Sequence, residues 1–283
     1  MRSKSPALKF TKMHALGNDF VVIDAITQEV NMTAVRAKKL ADRYQGIGCD
    51  QILLVEPPSN PDVDFNYRIF NQDGSEVSQC GNGARCFAKY VRDRKLTGKD
   101  RISVETRAGL MELSINTDRT YSVALGVPDF ALDQVPYMAE SASSGTKQSL
   151  NIGDESFEFF ALSIGNPHAV ILVESIEDAE VERIGALLQE HASFPESVNV
   201  SFMEIISRTE IQLRVFERGV GETFACGSGA CAAVAAGINN DLLDSATTVN
   251  LPLGKLTIEW LGAGHPAVLT GPATTVFQGH TRL

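Results

Sequence analysis

Cys80-Gly81-Asn82-Gly83-Ala84 and Cys226-Gly227-Ser228-Gly229-Ala230 are one turn written twice, 146 residues apart. The likeness runs upstream without a gap to Arg68-Ile69-Phe70 and Arg214-Val215-Phe216, with Glu76 matching Glu222 between. Each turn follows a strand-like stretch and precedes a helix-like one. Each half of the chain therefore offers strand, turn, cysteine and helix in that order.

The duplication extends further. Leu16-Gly17-Asn18 resembles Ile164-Gly165-Asn166 at a spacing of 148, so one short indel separates the two offsets. Two related halves follow: 1–127 carrying Cys80 and 128–283 carrying Cys226, with the chain end free to return to the N-terminal half. They join within 127–150, where Gly126-Val127-Pro128 and the Ser-rich stretch 141–145 read as linker and turns. Alternating or short apolar runs predict strands over 20–24, 51–56, 64–70, 102–106, 110–115, 121–125, 157–164, 169–173, 198–204, 210–216, 256–260, 267–270 and 274–278. Helices are predicted over 33–44, 83–96, 176–192 and 229–240. Many strands with few helices make this an α+β chain.

Composition narrows the partners. The 283 residues are 43% hydrophobic with a net charge of −10, which fits a globular enzyme and argues against a nucleic-acid partner. No apolar run approaches the ~20 residues that cross a bilayer, so no membrane partner is expected. The basic start Met1-Arg2-Ser3-Lys4-Ser5-Pro6 leads into no apolar segment of the kind a signal peptide has. Five cysteines, an odd number in a chain of this size, read as reduced thiols and a cytoplasmic location.

The turns carry chemistry. Their glycines allow a sharp bend and bring main-chain N–H groups close to a ligand. Asn82 and Ser228 suit the N-cap or first turn of the helices that follow. A cysteine at a helix start has a lowered pKa, and the same N–H groups bind a carboxylate. Two thiols related by an internal pseudo-twofold are what a racemase or epimerase needs, a base on one face of a carbon and an acid on the other. Two helix starts aimed at one α-carboxylate would stabilise the charge that develops when the α-proton leaves. This chemistry needs no metal and no organic cofactor.

Four stretches together resemble the signatures of the diaminopimelate epimerases: 12–20 (Lys12 to Phe20), 71–86 (Asn71 to Cys86), Gly165-Asn166-Pro167-His168, and 217–231 (Glu217 to Cys231). The resemblance runs in order over nearly the whole chain. It implies two pseudo-symmetric halves, each a curled, mostly antiparallel sheet around a central helix. It implies interconversion of LL- and meso-2,6-diaminopimelate without pyridoxal phosphate, for lysine and peptidoglycan precursors, by a homodimer. By position, Cys80 and Cys226 match the acid/base pair. Gly81, Asn82, Gly227 and Ser228 match the carboxylate-binding helix starts. Asn18, Gln51, Asn71, Asn166, Asn199, Glu217 and Arg218 match substrate contacts, an arginine for a carboxylate and amides or acids for an ammonium. His168 and Glu217 match positions that tune the thiols; an imidazolium would lower a thiol pKa and a carboxylate would raise it. Two departures stand out: Cys49 where a larger apolar residue is expected, and Phe277 where the family's dimer contact often has tyrosine.

Other readings remain. Cys49, Cys86 and Cys231 are read as small packing residues. The spacings Cys80-x5-Cys86 and Cys226-x4-Cys231 suit neither a zinc hairpin nor a Cys-x-x-Cys redox pair. A proline or hydroxyproline racemase-like enzyme would share the two-cysteine logic, with no use for the set Asn18, Asn166, Asn199 and Arg218. A non-enzymatic thiol module would instead sense redox state or bind metal.

Overall fold

Residues 7–138 and 147–282 are described by the structure, a computed structural model. The basic start at 1–6 and the Ser-rich stretch 141–145 lie outside the described residues. The chain divides into two compact units, Met1–Val123 with Gly271–Leu283, and Ala124–Thr270.

In the first unit, β1 (Leu8–Ala15) and β2 (Asn18–Asp24) form an antiparallel hairpin. The chain then crosses through α1 (Ala34–Ala41) to β3 (Gln51–Glu56), which lies parallel to β2. A parallel neighbour needs such a crossover, because a tight turn can only reverse direction. Next, β4 (Phe65–Asn71) runs antiparallel to β3, and β5 (Glu76–Val77) folds back on β4. A second crossover, α2 (Gly81–Asp93), leads to β6 (Arg101–Thr106), parallel to β4. An antiparallel meander of β7 (Gly109–Ile115) and β8 (Tyr121–Gly126) follows.

The second unit begins with β9 (Lys147–Ile152), antiparallel to β10 (Glu155–Ser163). From β10 onward the directions of β1 to β8 recur one for one. Strand β11 (Pro167–Leu172), α3 (Val181–Glu190) and β12 (Asn199–Ser207) repeat β2, α1 and β3, including the parallel pair. Likewise β13 (Glu210–Glu217), β14 (Gly221–Thr223) and α4 (Gly227–Asn239) repeat β4, β5 and α2. Last come β15 (Ala246–Leu251), β16 (Gly254–Glu259) and β17 (Ala267–Gly271), again with one parallel step before the meander. Register repeats as well as direction. Phe20 pairs with Gln51 as His168 pairs with Asn199, and Ile52 opposes Phe70 as Val200 opposes Phe216. One strand breaks the parallel: β10 receives its outer neighbour from the segment just before it, whereas β1 receives β18 (Thr274–Thr281), made after the whole second unit.

Each unit wraps its sheet around one helix. Helix α2 touches β1, β2 and β3 and also β7, so the sheet curls until its far strand reaches the same helix. Helix α4 stands likewise among β10 to β13 and β16. Both are buried over most of their length, α2 through Phe87 and Tyr90, α4 through an almost unbroken run of alanine, glycine and valine. Strands beside them are covered on both faces. Phe20 and Leu53 face Gly83 of α2, while Val21, Ile23, Ile52 and Leu54 pack with Ala37 and Leu40 of α1. That is the alternation of a pleated strand with a layer on either side.

The expected strands and helices are all present, with three kinds of difference. Helices α1 and α2 stop three residues early, at Ala41 and Asp93, and α3 covers only Val181–Glu190 of the expected 176–192, because Ile176 N–H donates to Glu204 Oε2 and Asp178 N–H to Ser175 Oγ instead of joining a helical turn. Helices α2 and α4 start two residues earlier than their apolar pattern suggested, because Gly81 and Gly227 already belong to the first turn. Strands β1, β5, β9, β14 and β15 were not anticipated. Three of them alternate with polar residues outward, as the exposed and buried positions of Leu8–Ala15, Lys147–Ile152 and Ala246–Leu251 show. The other two are only short returns after a turn. Among the described residues no helix is long and apolar enough to cross a membrane.

Candidate active site

The two cysteine turns are built alike. Cys80 is the N-cap of α2 and Cys226 the N-cap of α4, both with extended backbone. In each, the sulfur accepts the first-turn N–H three residues on, Gly83 N and Gly229 N, at 3.3 Å. Asn82 and Ser228 sit second in their helices, in the first turn rather than at the cap. The helix starts therefore gather a sulfur, several main-chain N–H groups and the positive end of the dipole. Cys80 is half-buried and Cys226 is 4% exposed; Cys49, Cys86 and Cys231 are fully buried, and all five are unbridged.

Around Cys80 the first unit assembles Asn18, Asn82 and Arg85. The turn before β2 puts Leu16 and Gly17 at positive φ, 53° and 90°, and delivers Asn18 to the helix start. Asn18 Oδ1 accepts from Asn82 Nδ2 at 3.3 Å and stands 4.0 Å from the Cys80 sulfur. Arg85, fully buried, donates to Asn82 Oδ1 at 2.5 Å and to the Pro272 carbonyl at 3.0 Å. On the neighbouring strands Gln51 Nε2 donates to Asn71 Oδ1 at 2.9 Å, and the buried Gln51 Oε1 has no protein partner. An unpaired buried carbonyl is costly unless something donates to it, which makes it a natural acceptor for a ligand ammonium.

Around Cys226 the second unit assembles Asn166, His168, Glu217 and Ser228. The Gly165 turn, φ 84°, repeats the Gly17 turn. A chain of contacts leads from His168 Nε2 to Asn166 Oδ1 at 3.1 Å, from Asn166 Nδ2 to Ser228 Oγ at 3.4 Å, and from Ser228 Oγ to the Cys226 sulfur at 3.6 Å. Burial, and then the Glu217 carboxylate, push the Cys226 thiol well above its ordinary value, so it is a thiol at neutral pH. Thr223 Oγ1 donates to Glu217 Oε1 and fixes that carboxylate. Asn199 donates to the Pro167 carbonyl at 3.1 Å and accepts from the Arg218 N–H at 3.0 Å, tying β11 to the turn after β13. The Arg218 guanidinium reaches the Glu196 carbonyl at 3.0 Å.

His168 differs from expectation in charge. Burial first, and the Arg218 guanidinium second, pull its pKa down to about 3. It is therefore a neutral imidazole, not the imidazolium the sequence suggested. It is joined to Cys226 by the Asn166 and Ser228 contacts and brings no positive charge to the thiol. Four neighbours escaped sequence reasoning: Arg85, which holds Asn82; Asp50, which accepts from Asn18 Nδ2 at 3.1 Å; Tyr67, whose buried hydroxyl lies against Gly83; and Thr223. Adjacency to Gln51 was the only signal for Asp50. Phe277, 47% exposed, packs edge-on against Phe10 with centroids 5.9 Å apart.

Comparison with known proteins follows the same outline. A family model described as diaminopimelate epimerase matches residues 10–131 and 160–276. Proteins named diaminopimelate epimerase are 55% identical in Teredinibacter turnerae and 51% identical in Pseudomonas syringae pv. tomato, each over 98% of this chain and 99% of the relative. Among solved structures, a hydroxyproline epimerase from Agrobacterium vitis superposes with a TM-score of 0.69 at 13% identity, covering 99% of this chain and 93% of that one. A phenazine biosynthesis protein of the PhzF family from Bacillus anthracis gives 0.68 at 16% identity, over 98% and 100%. At those identities the structures share the fold alone. With half or more of its residues identical to such relatives over almost its full length, and two sulfur-capped central helices in a repeated unit, the chain belongs to the diaminopimelate epimerase family.

Proposed function

We propose that this protein is a cofactor-independent epimerase that interconverts LL- and meso-2,6-diaminopimelate, a step toward lysine and peptidoglycan precursors. The observation that carries this reading is the repeat of one reactive turn, a cysteine capping a buried central helix, at equivalent places in two units of the same fold. One thiolate takes the α-proton as the C–H bond breaks. The electron pair left behind spreads into the α-carboxylate, held by the N–H groups at Gly81, Asn82, Gly227 and Ser228. The other thiol then returns a proton to the opposite face. With Cys226 kept as a thiol by its burial and by Glu217, Cys226 is the proton donor of the resting enzyme and Cys80 the base. The reverse reaction exchanges the roles.

The distal amino acid centre of the substrate is a zwitterion. Arg218 suits its carboxylate, and the amide oxygens of Asn18, Gln51, Asn71, Asn166 and Asn199, with Glu217, suit its ammonium. His168 tunes Cys226 through Asn166 and Ser228. The family resemblance carries with it a homodimer in the cytoplasm, with Phe277 in the place of the dimer-contact aromatic; sedimentation of the purified protein tests the dimer.

The deciding experiment incubates reduced protein with LL-diaminopimelate in D2O without pyridoxal phosphate and follows deuterium at the α-carbon. Incorporation with conversion to the meso form is expected, and L-proline should give none. Absence of exchange into diaminopimelate by the reduced protein would sink this reading.

A further inference from the structure

Asn18 and Asn166 occupy equivalent places in the two units, yet they present opposite ends to their cysteine turns. Behind Asn166 stands His168, whose Nε2 lies 3.1 Å from Asn166 Oδ1, and the amide nitrogen points on toward Ser228 Oγ. Behind Asn18 stands Asp50, whose carboxyl oxygens accept from Asn18 Nδ2, the Asp19 N–H and Arg43. Asn18 Nδ2 donates to Asp50 Oδ2 at 3.1 Å, which turns the amide oxygen toward the Cys80 sulfur and Asn82 Nδ2. A flipped amide would set its oxygen against the carboxylate.

Asp50 is itself held firmly. Arg43 Nη2 donates to Asp50 Oδ1 at 2.7 Å and also to Asp19 Oδ1 at 2.7 Å. The Asp19 main-chain N–H donates to Asp50 Oδ2 at 3.0 Å, and the Asp50 N–H returns a bond to Asp19 Oδ1 at 2.9 Å. Lys12 pairs with Asp19 from the other side. Burial works against the Asp19 charge, but hydrogen bonds from Arg43 and Lys12 hold its carboxyl well below the usual range.

We propose that Asp50 is a positioning residue that acts through Asn18: it aims an amide oxygen at the Cys80 sulfur and so sets the acidity of that thiol. The helix start favours the thiolate. An oxygen lone pair facing the sulfur accepts from S–H and repels S⁻, and so favours the thiol. The two oppose each other. A thiolate with a very low pKa is a feeble proton acceptor, and a base serves best when its pKa lies near the working pH. Ionisable groups close to Cys80 include the buried Tyr67 phenol, the buried Cys86 thiol, and Arg85 by way of Asn82. All three are unchanged in the variants below. The consequence for turnover rests on Cys80 being the base proposed above; the acidity of the thiol does not.

The test is alkylation by iodoacetamide across a pH series, read cysteine by cysteine by peptide mass spectrometry. It needs no substrate, so its failure is distinct from a failure of the epimerase reading. Cys86 and Cys231 are fully buried and should stay unmodified, which reports an intact fold in the same digest. In Asp50→Asn the Asn18 amide loses the carboxylate that holds its nitrogen and keeps the longer 3.3 Å contact from Asn82 on its oxygen. The oxygen is then aimed less firmly, and the Cys80 profile should move down by about one pH unit, close to tenfold faster reaction at a fixed pH below it. The Cys226 profile should not move. Loss of a nearby negative charge would also lower the Cys80 profile through space, so the same substitution is made in an Asn18→Ala background, where its effect should shrink to less than about twofold. Asp50→Glu keeps the charge and displaces the oxygen, in a side chain that is 40% exposed and has room to lengthen. It too should lower the profile, and it decides the matter if Asp50→Asn does not fold. Equal shifts with and without Asn18, or no shift in either Asp50 variant, overturn the proposal.

Discussion

Sulfur is a poor helix cap, and this chain uses it twice. The position usually belongs to Ser, Thr, Asp or Asn, whose oxygen accepts the first-turn N–H more strongly. Replacing sulfur by oxygen should therefore separate capping from reactivity. For Cys80→Ser, urea unfolding should show stability unchanged or raised by up to about 1 kcal/mol. Turnover of LL-diaminopimelate should fall by ~10³-fold or more, because a hydroxyl cannot take the thiolate's part. Loss of stability in step with activity would make Cys80 a packing residue. His168 has a pH signature of its own. Its folded pKa of about 3 lies below the ordinary 6.5, so between those values the unfolded chain binds a proton that the native protein does not. The stability it permits is complete above the ordinary value and is lost as pH falls toward 3, at no more than ~1.4 kcal/mol per pH unit. His168→Phe, which installs the residue found at Phe20 in the other unit, should flatten that slope in urea titrations at acidic pH. At this scale the sequence speaks clearly where it repeats. Cys80, Cys226, Asn18 and Asn166 were legible because each has a counterpart. Asp50 and Tyr67 were not: the corresponding places hold Val198 and Leu213, so their roles rest on neighbours brought together only by folding.

At the scale of the element, α2 is positioned by a contact that its sequence does not announce. A Cβ on Gly83 would lie 2.4 Å from the Tyr67 hydroxyl and 3.1 Å from Leu53 Cδ2, so the helix start can approach β3 and β4 only without one. Gly83→Ala should destabilise the protein by about 1–3 kcal/mol despite the better helix propensity of alanine. The Tyr67 hydroxyl is buried with no partner, so Tyr67→Phe should be neutral or stabilising by up to about 1 kcal/mol. The double variant should recover most of the loss; chemical denaturation of the three proteins checks it, and additive losses would place the strain elsewhere. Helices were easy to foresee because α2 spaces Ala84, Phe87, Ala88 and Val91 at helical intervals and α4 carries a long apolar run. Strands such as β15, Ala246–Leu251, were not, since threonine and asparagine on the outward face hide the alternation that burial of Thr247, Val249 and Leu251 reveals.

At the scale of the molecule, the repeat is complete except for the way each unit obtains its outermost strand. In the second unit β9 precedes β10 directly; in the first, β18 closes against β1 from the other end of the chain. The closure is specific. Phe277 packs on Phe10, and a Cβ on Gly279 would sit 2.7 Å from the Phe10 ring. Ending the chain after Pro272 should leave amide protons of β1 and β2 exchanging freely while β10 to β13 keep their protection; hydrogen exchange resolved along the chain measures it, and uniform loss would mean that the units unfold as one. That difference also sets an order of events on the ribosome. The C-terminal unit is contiguous and can close as soon as it emerges. The N-terminal unit is translated first but must hold an open strand edge at β1, an invitation to misassembly, until the final strand arrives. Synthesis of the 147 residues from Ala124 to Thr270 takes on the order of ten seconds at usual elongation rates. The half of the protein that is made first is the last to be finished.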